Sequence, residues 1–155
     1  MRKWLSCCSA LVFSGALYSY AAAQDDTRPD LTGTWQLDAS KSDIKLSKFT
    51  GLKMVIAEKD DRINISDYEI LGGGKERTVV YDCTTDGKDC NVKSTGAKAS
   101  FWYNGPMLVN METDKKGGVF RYRMKLSSDA KELTIEISCL VPASDKVDKL
   151  VLAKR

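Results

Sequence analysis

The sequence predicts an all-β domain, an antiparallel up-and-down meander of 8–10 short strands closed into a small barrel. Three observations predict it. Apolar and polar residues alternate along nearly every segment after residue 30, the period of a half-buried strand. Gly, Asn, Asp and Ser clusters separate those segments at short intervals, as hairpin turns do. No segment after the first 23 residues carries the apolar spacing of an amphipathic helix. Turns this short cannot carry a strand between two sheets, which disfavours a Greek-key sandwich, and closure hides both edges of a meander.

The chain begins with an address. Met1-Arg2-Lys3 is a basic start, Trp4–Tyr20 is mostly apolar and small, and Ala21-Ala22-Ala23 offers a cleavage site before polar Gln24-Asp25-Asp26. This reads as a signal peptide over residues 1–23, so the chain is expected to be exported, to a periplasm or to the outside. A transmembrane anchor fits less well, because serines and a glycine interrupt the run. A lipoprotein site at Cys7 or Cys8 comes before any hydrophobic region has formed. Residues 24–30 read as a polar, flexible segment, and 31–155 as a single barrel domain.

Strand one is expected at about 31–38. Residues 39–51 hold no clear period and are expected to be one short helical turn, capped by Ser40 or Ser42, or an extended connection. Alternating runs follow at 52–58, 62–71, 76–83, 90–95, 97–103, 107–113, 119–126, 132–141 and 147–154. The turns between them include Lys59-Asp60-Asp61, Gly72-Gly73-Gly74-Lys75, Asn104-Gly105 and Ser127-Ser128-Asp129-Ala130. An outer-membrane barrel is disfavoured, because the strands are short and charges stand on the would-be lipid face.

Cys83 and Cys90 flank Thr84-Thr85-Asp86-Gly87-Lys88-Asp89. With Asp86-Gly87 at the tip of a two-residue hairpin turn, where positive φ is wanted, the two cysteines face each other. Opposed residues lie about 4.5–5.5 Å apart at Cα, within disulfide range. Such a closure gains roughly 2.5 kcal/mol in the chain-entropy model. A redox pair would favour Cys-x-x-Cys at a helix start. Zinc would need further ligands, and the chain has no histidine. Cys139 continues the inward alternation of Leu133, Ile135 and Ile137 and is expected to be a buried free thiol.

The chain carries 24 basic and 21 acidic residues, interleaved without a basic block. A nucleic-acid partner therefore has little electrostatic support, and the chain after residue 23 holds no membrane span. The lack of histidine removes the commonest general base. No nucleophile elbow and no phosphate loop is present, since Gly72-Gly73-Gly74-Lys75 joins two strands. No catalytic residue, metal or cofactor is assigned.

The segment Leu31-Thr32-Gly33-Thr34-Trp35-Gln36-Leu37-Asp38, followed by Lys41-Ser42, resembles the opening of a lipocalin-like, calycin-type family of small secreted bacterial β-barrel domains. Trp102 with Gly105 and Leu108 is similar to that family's aromatic strand, glycine turn and apolar strand. Leu126-Ser127-Ser128-Asp129 with Leu133-Thr134-Ile135 matches a further segment, with Ala130 where a glycine is usual. The resemblance implies a barrel closed at Gly33 and Trp35, often under an arginine from a late strand, a place that Arg155 or Lys154 could serve. Gly-x-Trp is shared with fatty-acid-binding proteins, but residues 39–51 are too short for their two-helix lid. Arg121-x-Arg123 is not their carboxylate-binding constellation, so a fatty acid is not specifically implied.

Tyr81, Trp102, Tyr103, Phe120, Tyr122 and Ile135 are the candidates to line a cavity, although side chains fill a barrel of this size by default. The expected function is an exported protein that binds a small apolar or amphipathic ligand inside the barrel. The alternative is a solid-cored interaction protein, such as an enzyme inhibitor, acting on a protein partner through its surface loops.

Overall fold

A computed structural model describes residues 28–155. The predicted leader at 1–23 and most of the 24–30 segment lie outside the described residues. Ten strands follow in order: β1 (Gly33–Leu37), β2 (Phe49–Lys59), β3 (Arg62–Leu71), β4 (Glu76–Thr84), β5 (Asp86–Val92), β6 (Ala97–Asn104), β7 (Met107–Thr113), β8 (Val119–Leu126), β9 (Glu132–Val141) and β10 (Val147–Lys154). They form one antiparallel sheet in the order β4-β3-β2-β1-β10-β9-β8-β7-β6-β5. The first strand pairs with the last, Trp35 opposite Lys154 and Leu37 opposite Leu152. The sheet curls into a nearly closed barrel, leaving a seam between β4 and β5, which share no ladder. No described helix is long and apolar enough to cross a membrane.

The alternation does what a barrel requires, sending every second side chain inward. Ile63 and Ile65 on β3, Leu133, Ile135 and Ile137 on β9, and Leu150 and Leu152 on β10 are buried in one continuous core.

Three sequence expectations need correction. First, β2 begins at Phe49, because a bulge between Phe49 and Gly51 lets the ladder with β3 continue upstream. Second, Asp86-Gly87 is not the tip of a hairpin. The Thr85 amide and hydroxyl both donate to Asp61 O, at 2.7 and 3.2 Å, which ties the end of β4 to the β2–β3 turn. The chain then turns away from β4, and Asp86 pairs with Trp102 of β6. Gly87 keeps its positive φ of 80°, but as part of a bulge between Asp86 and Asp89. Third, Asn104 faces Met107 directly, so the turn residues are Gly105 and Pro106. Gly105 takes the positive φ (57°), and the fixed φ of proline suits the second place.

Residues 38–48 form no helix. They run as a strap along the barrel end. Ser42 ties it down, donating to Asp38 O at 2.7 Å and accepting from the Val151 amide at 2.9 Å.

Candidate functional site

The barrel is hollow. A cavity of about 930 Å³ opens at the end formed by the strap, the β3–β4 turn and the β7–β8 turn. The default of a filled interior is therefore overturned. Part of the reason lies on β6, where inward Ala97 and Ala99 occupy positions that larger side chains would fill. The rest lies in charged groups that line the cavity without packing across it.

The cavity wall is two-sided. Leu52 and Met54 of β2, Ile135 and Ile137 of β9, and Leu150 of β10 make an apolar wall. Polar residues come from β3, β4, β7 and β8, as Asp67, Glu69, Arg77, Tyr81, Asn110, Glu112 and Tyr122. Glu69 and Arg77 neutralise each other, with Arg77 Nε and Nη2 at 2.7 and 2.5 Å from Glu69 Oε2. The Tyr81 hydroxyl donates to Glu112 Oε2 at 2.7 Å, and its ring meets Phe101 edge to face at 5.7 Å.

Two acceptors in this arc have no donor. Asp67 Oδ1 and Asn110 Oδ1 are buried without a hydrogen-bond partner among the described residues, and Asn110 is only 2% exposed. A buried acceptor left unsatisfied is costly and rare in folded proteins. Burial, reinforced by the charges of Glu69 and Glu112 and opposed by Arg77, pushes the Asp67 carboxyl up to about 8. At neutral pH it is mainly the neutral acid. Burial also raises Glu112, against the hydrogen bond from Tyr81. Burial raises the Tyr81 and Tyr122 phenols as well, so both stay protonated. Perturbed carboxyls converging in a cleft are a signature of functional sites.

At the mouth, one buried side chain holds the strap. Asp148 on β10 is 0% exposed. Its Oδ1 accepts from the amides of Lys45 and Leu46, and its Oδ2 from that of Ser47, at 2.6 Å for Leu46 and 2.8 Å for Ser47. Beside it, Asp43 and Lys149 exchange both backbone bonds at 2.8 Å. Leu46, Ser47 and Phe49 thereby become part of the cavity lining.

At the closed end, Trp35 is 0% exposed. Its indole Nε1 donates to Leu31 O at 2.9 Å, and Lys154 Nζ lies 5.2 Å from the ring centroid. Gly33 makes room for that lysine, because a Cβ there would stand 2.8 Å from Lys154 Cε. Lys154, not Arg155, is thus the late-strand cation over the tryptophan.

The other sequence candidates divide. Tyr81, Phe120, Tyr122 and Ile135 come together on the cavity wall. Trp102 does not line it, because it follows inward Phe101 and takes the opposite face of β6. Tyr103 points inward but near the closed end, where its hydroxyl donates to Glu58 Oε1 and it borders a separate recess of about 290 Å³. Cys83 and Cys90 are disulfide-bonded, with Cα atoms 5.6 Å apart. Cys139 is a free thiol but only half-buried, and its Sγ lies 3.1 Å from Pro142 O, which corrects the expected full burial. Sequence reasoning missed Asp67, Glu69, Asn110 and Glu112. The signal was present, since Asp67 and Glu69 continue the parity of Ile63 and Ile65, and Asn110 and Glu112 that of Leu108.

No protein-family model and no curated protein sequence matches the chain. Solved structures do. An asparagine-to-alanine mutant of the fluorescent protein UnaG is 15% identical with a TM-score of 0.56, over 80% of this chain and 95% of that one. An asparagine-to-glutamine mutant of UnaG is 16% identical with a TM-score of 0.57, over 79% and 94%. The fatty-acid-binding protein of Manduca sexta is 13% identical with a TM-score of 0.53, over 79% and 98%. The chain therefore shares the β-barrel fold of these proteins. At such identities the likeness speaks for the fold alone.

Proposed function

We propose that this protein carries a small amphipathic molecule inside its barrel, and that it does so after export. The observation that carries the reading is the open cavity of about 930 Å³, within the range of small-molecule sites. Its apolar wall would take the body of a ligand, and its polar arc a head group. The fold neighbours support a barrel binder, and the name of the Manduca sexta protein supports a ligand with an aliphatic chain. The Met1–Ala23 segment supports export, and the Gly33-Thr34-Trp35 opening supports kinship with secreted lipocalin-like domains.

The test is titration with an uncharged, environment-sensitive dye such as Nile red, with native mass spectrometry of the protein from its own host. Saturable one-to-one enhancement, reduced when Ala97→Trp fills the cavity, supports the reading. A dye that never saturates, together with a bare mass, overturns it.

A further inference from the structure

The cavity holds an arrangement that suits one kind of head group and repels another. Asp67, Glu69 and Glu112 face Arg77, which is already engaged by Glu69, while the other cations lining the cavity among the described residues, Lys48, Lys115 and Lys116, stand exposed at its mouth. Asp67 and Glu112 form no ion pair among the described residues. Beside them stands Asn110, nearly fully buried, its carbonyl oxygen without a donor. With Asp67 ionised, the unmet need of this wall is for N–H donors, preferably positively charged ones. A carboxylate placed there with Asp67 ionised would meet like charges and unpaired acceptors, a costly arrangement.

We infer that the ligand carries a cationic, donor-rich head group of the guanidinium or primary-amine class, seated on Asp67, Asn110 and Glu112 with its apolar body against β2, β9 and β10. The inference rests on the binding reading above and narrows it. A guanidinium matches the site best, since its five donors in a planar fork can serve several acceptors at once. The lysines at the mouth, Lys48, Lys115 and Lys116, are exposed. An anionic head held by them would sit in water, where such attraction is screened.

Binding is linked to protons. Asp67 is faced by Glu69 from its own strand, by Arg77 and Tyr81 from β4, by Glu112 from β7 and by Tyr122 from β8. It is mainly protonated at neutral pH, and a bound cation favours its ionised form. Seating the head group therefore expels a proton from Asp67 to solvent. Affinity for a permanent cation should rise with pH up to about 8, by as much as about tenfold per pH unit.

The experiment compares decylguanidinium, decanoate and decanol by calorimetry on the intact chain at pH 6 and pH 8.5. Decylguanidinium is expected to bind at least about tenfold more tightly than decanoate at pH 8.5, to weaken at pH 6 and to release protons into the buffer. Asp67→Asn with Glu112→Gln, two nearly isosteric changes whose folding is checked by melting, should remove the advantage of decylguanidinium over decanoate. Decanoate binding as well as the guanidinium, or a double variant that keeps the preference, overturns the head-group inference while ligand binding stands. If none of the three binds, the binding reading falls with it.

Discussion

Cys83 and Cys90 are bonded across the one pair of neighbouring strands that share no ladder. Their Cα atoms are 5.6 Å apart, and close by the Val80 amide donates to Ser94 Oγ at 3.3 Å. Elsewhere around the barrel, backbone ladders hold adjacent strands. At this seam a covalent bond does so. The double substitution Cys83→Ala with Cys90→Ala should cost about 2.5 kcal/mol in the chain-entropy account, read as a lower melting temperature that reductant no longer alters. A chain starting at residue 24 should show a single reactive thiol, Cys139, when denatured without reductant. Three would mean that the bond is absent.

Trp35 joins the first strand to the last. Its ring packs in the core under Lys154, and its indole N–H satisfies Leu31 O. Trp35→Ala leaves a cavity in a region that cannot collapse, because both flanking strands are held by ladders. The expected loss is about 3–5 kcal/mol. A denaturant midpoint unchanged from the parent would refute this placement.

Asp148 anchors the strap with three backbone bonds. Burial opposes its charge, but hydrogen bonds from the Ser47 side chain and from the backbone of Leu46, Lys45 and Ser47 outweigh that and hold its carboxyl below the usual value of 3.8. A lowered folded-state pKa means stability present above the unfolded value and lost as pH falls through the folded one. Asp148→Asn should cost about 2 kcal/mol at neutral pH and flatten the stability profile below pH 4. Amide exchange at Lys45–Ser47 should accelerate before global unfolding.

Asp67 acts in the opposite sense. Its folded-state pKa of about 8 lies above its unfolded value of 3.8, so between these values the folded state binds more protons. Stability then declines as pH rises through that window. Asp67→Asn should remove this decline, so that its melting temperature gains on the parent most at pH 9. Equal pH profiles for the two proteins would show that Asp67 ionises normally.

Ala130 sits at a φ of 56° in the turn between β8 and β9, a left-handed conformation in which its Cβ crowds the backbone. Asp129 Oδ1 holds the turn, accepting from Ser127 Oγ at 2.6 Å and from the Lys131 amide at 3.2 Å. Ala130→Gly should therefore stabilise the protein by about 1 kcal/mol, detected as a rise in denaturant midpoint.

The limits of sequence reading show at particular residues. Alternation located Ile63, Ile65, Tyr81 and Tyr122 on the inner face, because strand parity is a local property. The same parity pointed to Asp67 and Asn110, but polar side chains are ordinarily assigned to solvent, and nothing local says that their strand faces inward that far along. Trp102 was misplaced for a related reason. In Phe101-Trp102-Tyr103 every residue is aromatic, so parity alone could not choose the face. Asp86-Gly87 carried a true preference for positive φ, yet Thr85 bonding to Asp61, a contact distant in sequence, decided which strand β5 would join.

By itself, then, the amino-acid order determined most of the strands and turns, which depend on neighbours within a few residues, and it put Cys83 and Cys90 near enough to pair, although not through the hairpin expected of Asp86-Gly87. Only the tertiary structure decided that the barrel is hollow, that its seam lies between β4 and β5, and that Asp67, Asn110 and Glu112 share one wall. Those outcomes depend on how side chains from distant strands sum in volume and charge across a closed sheet.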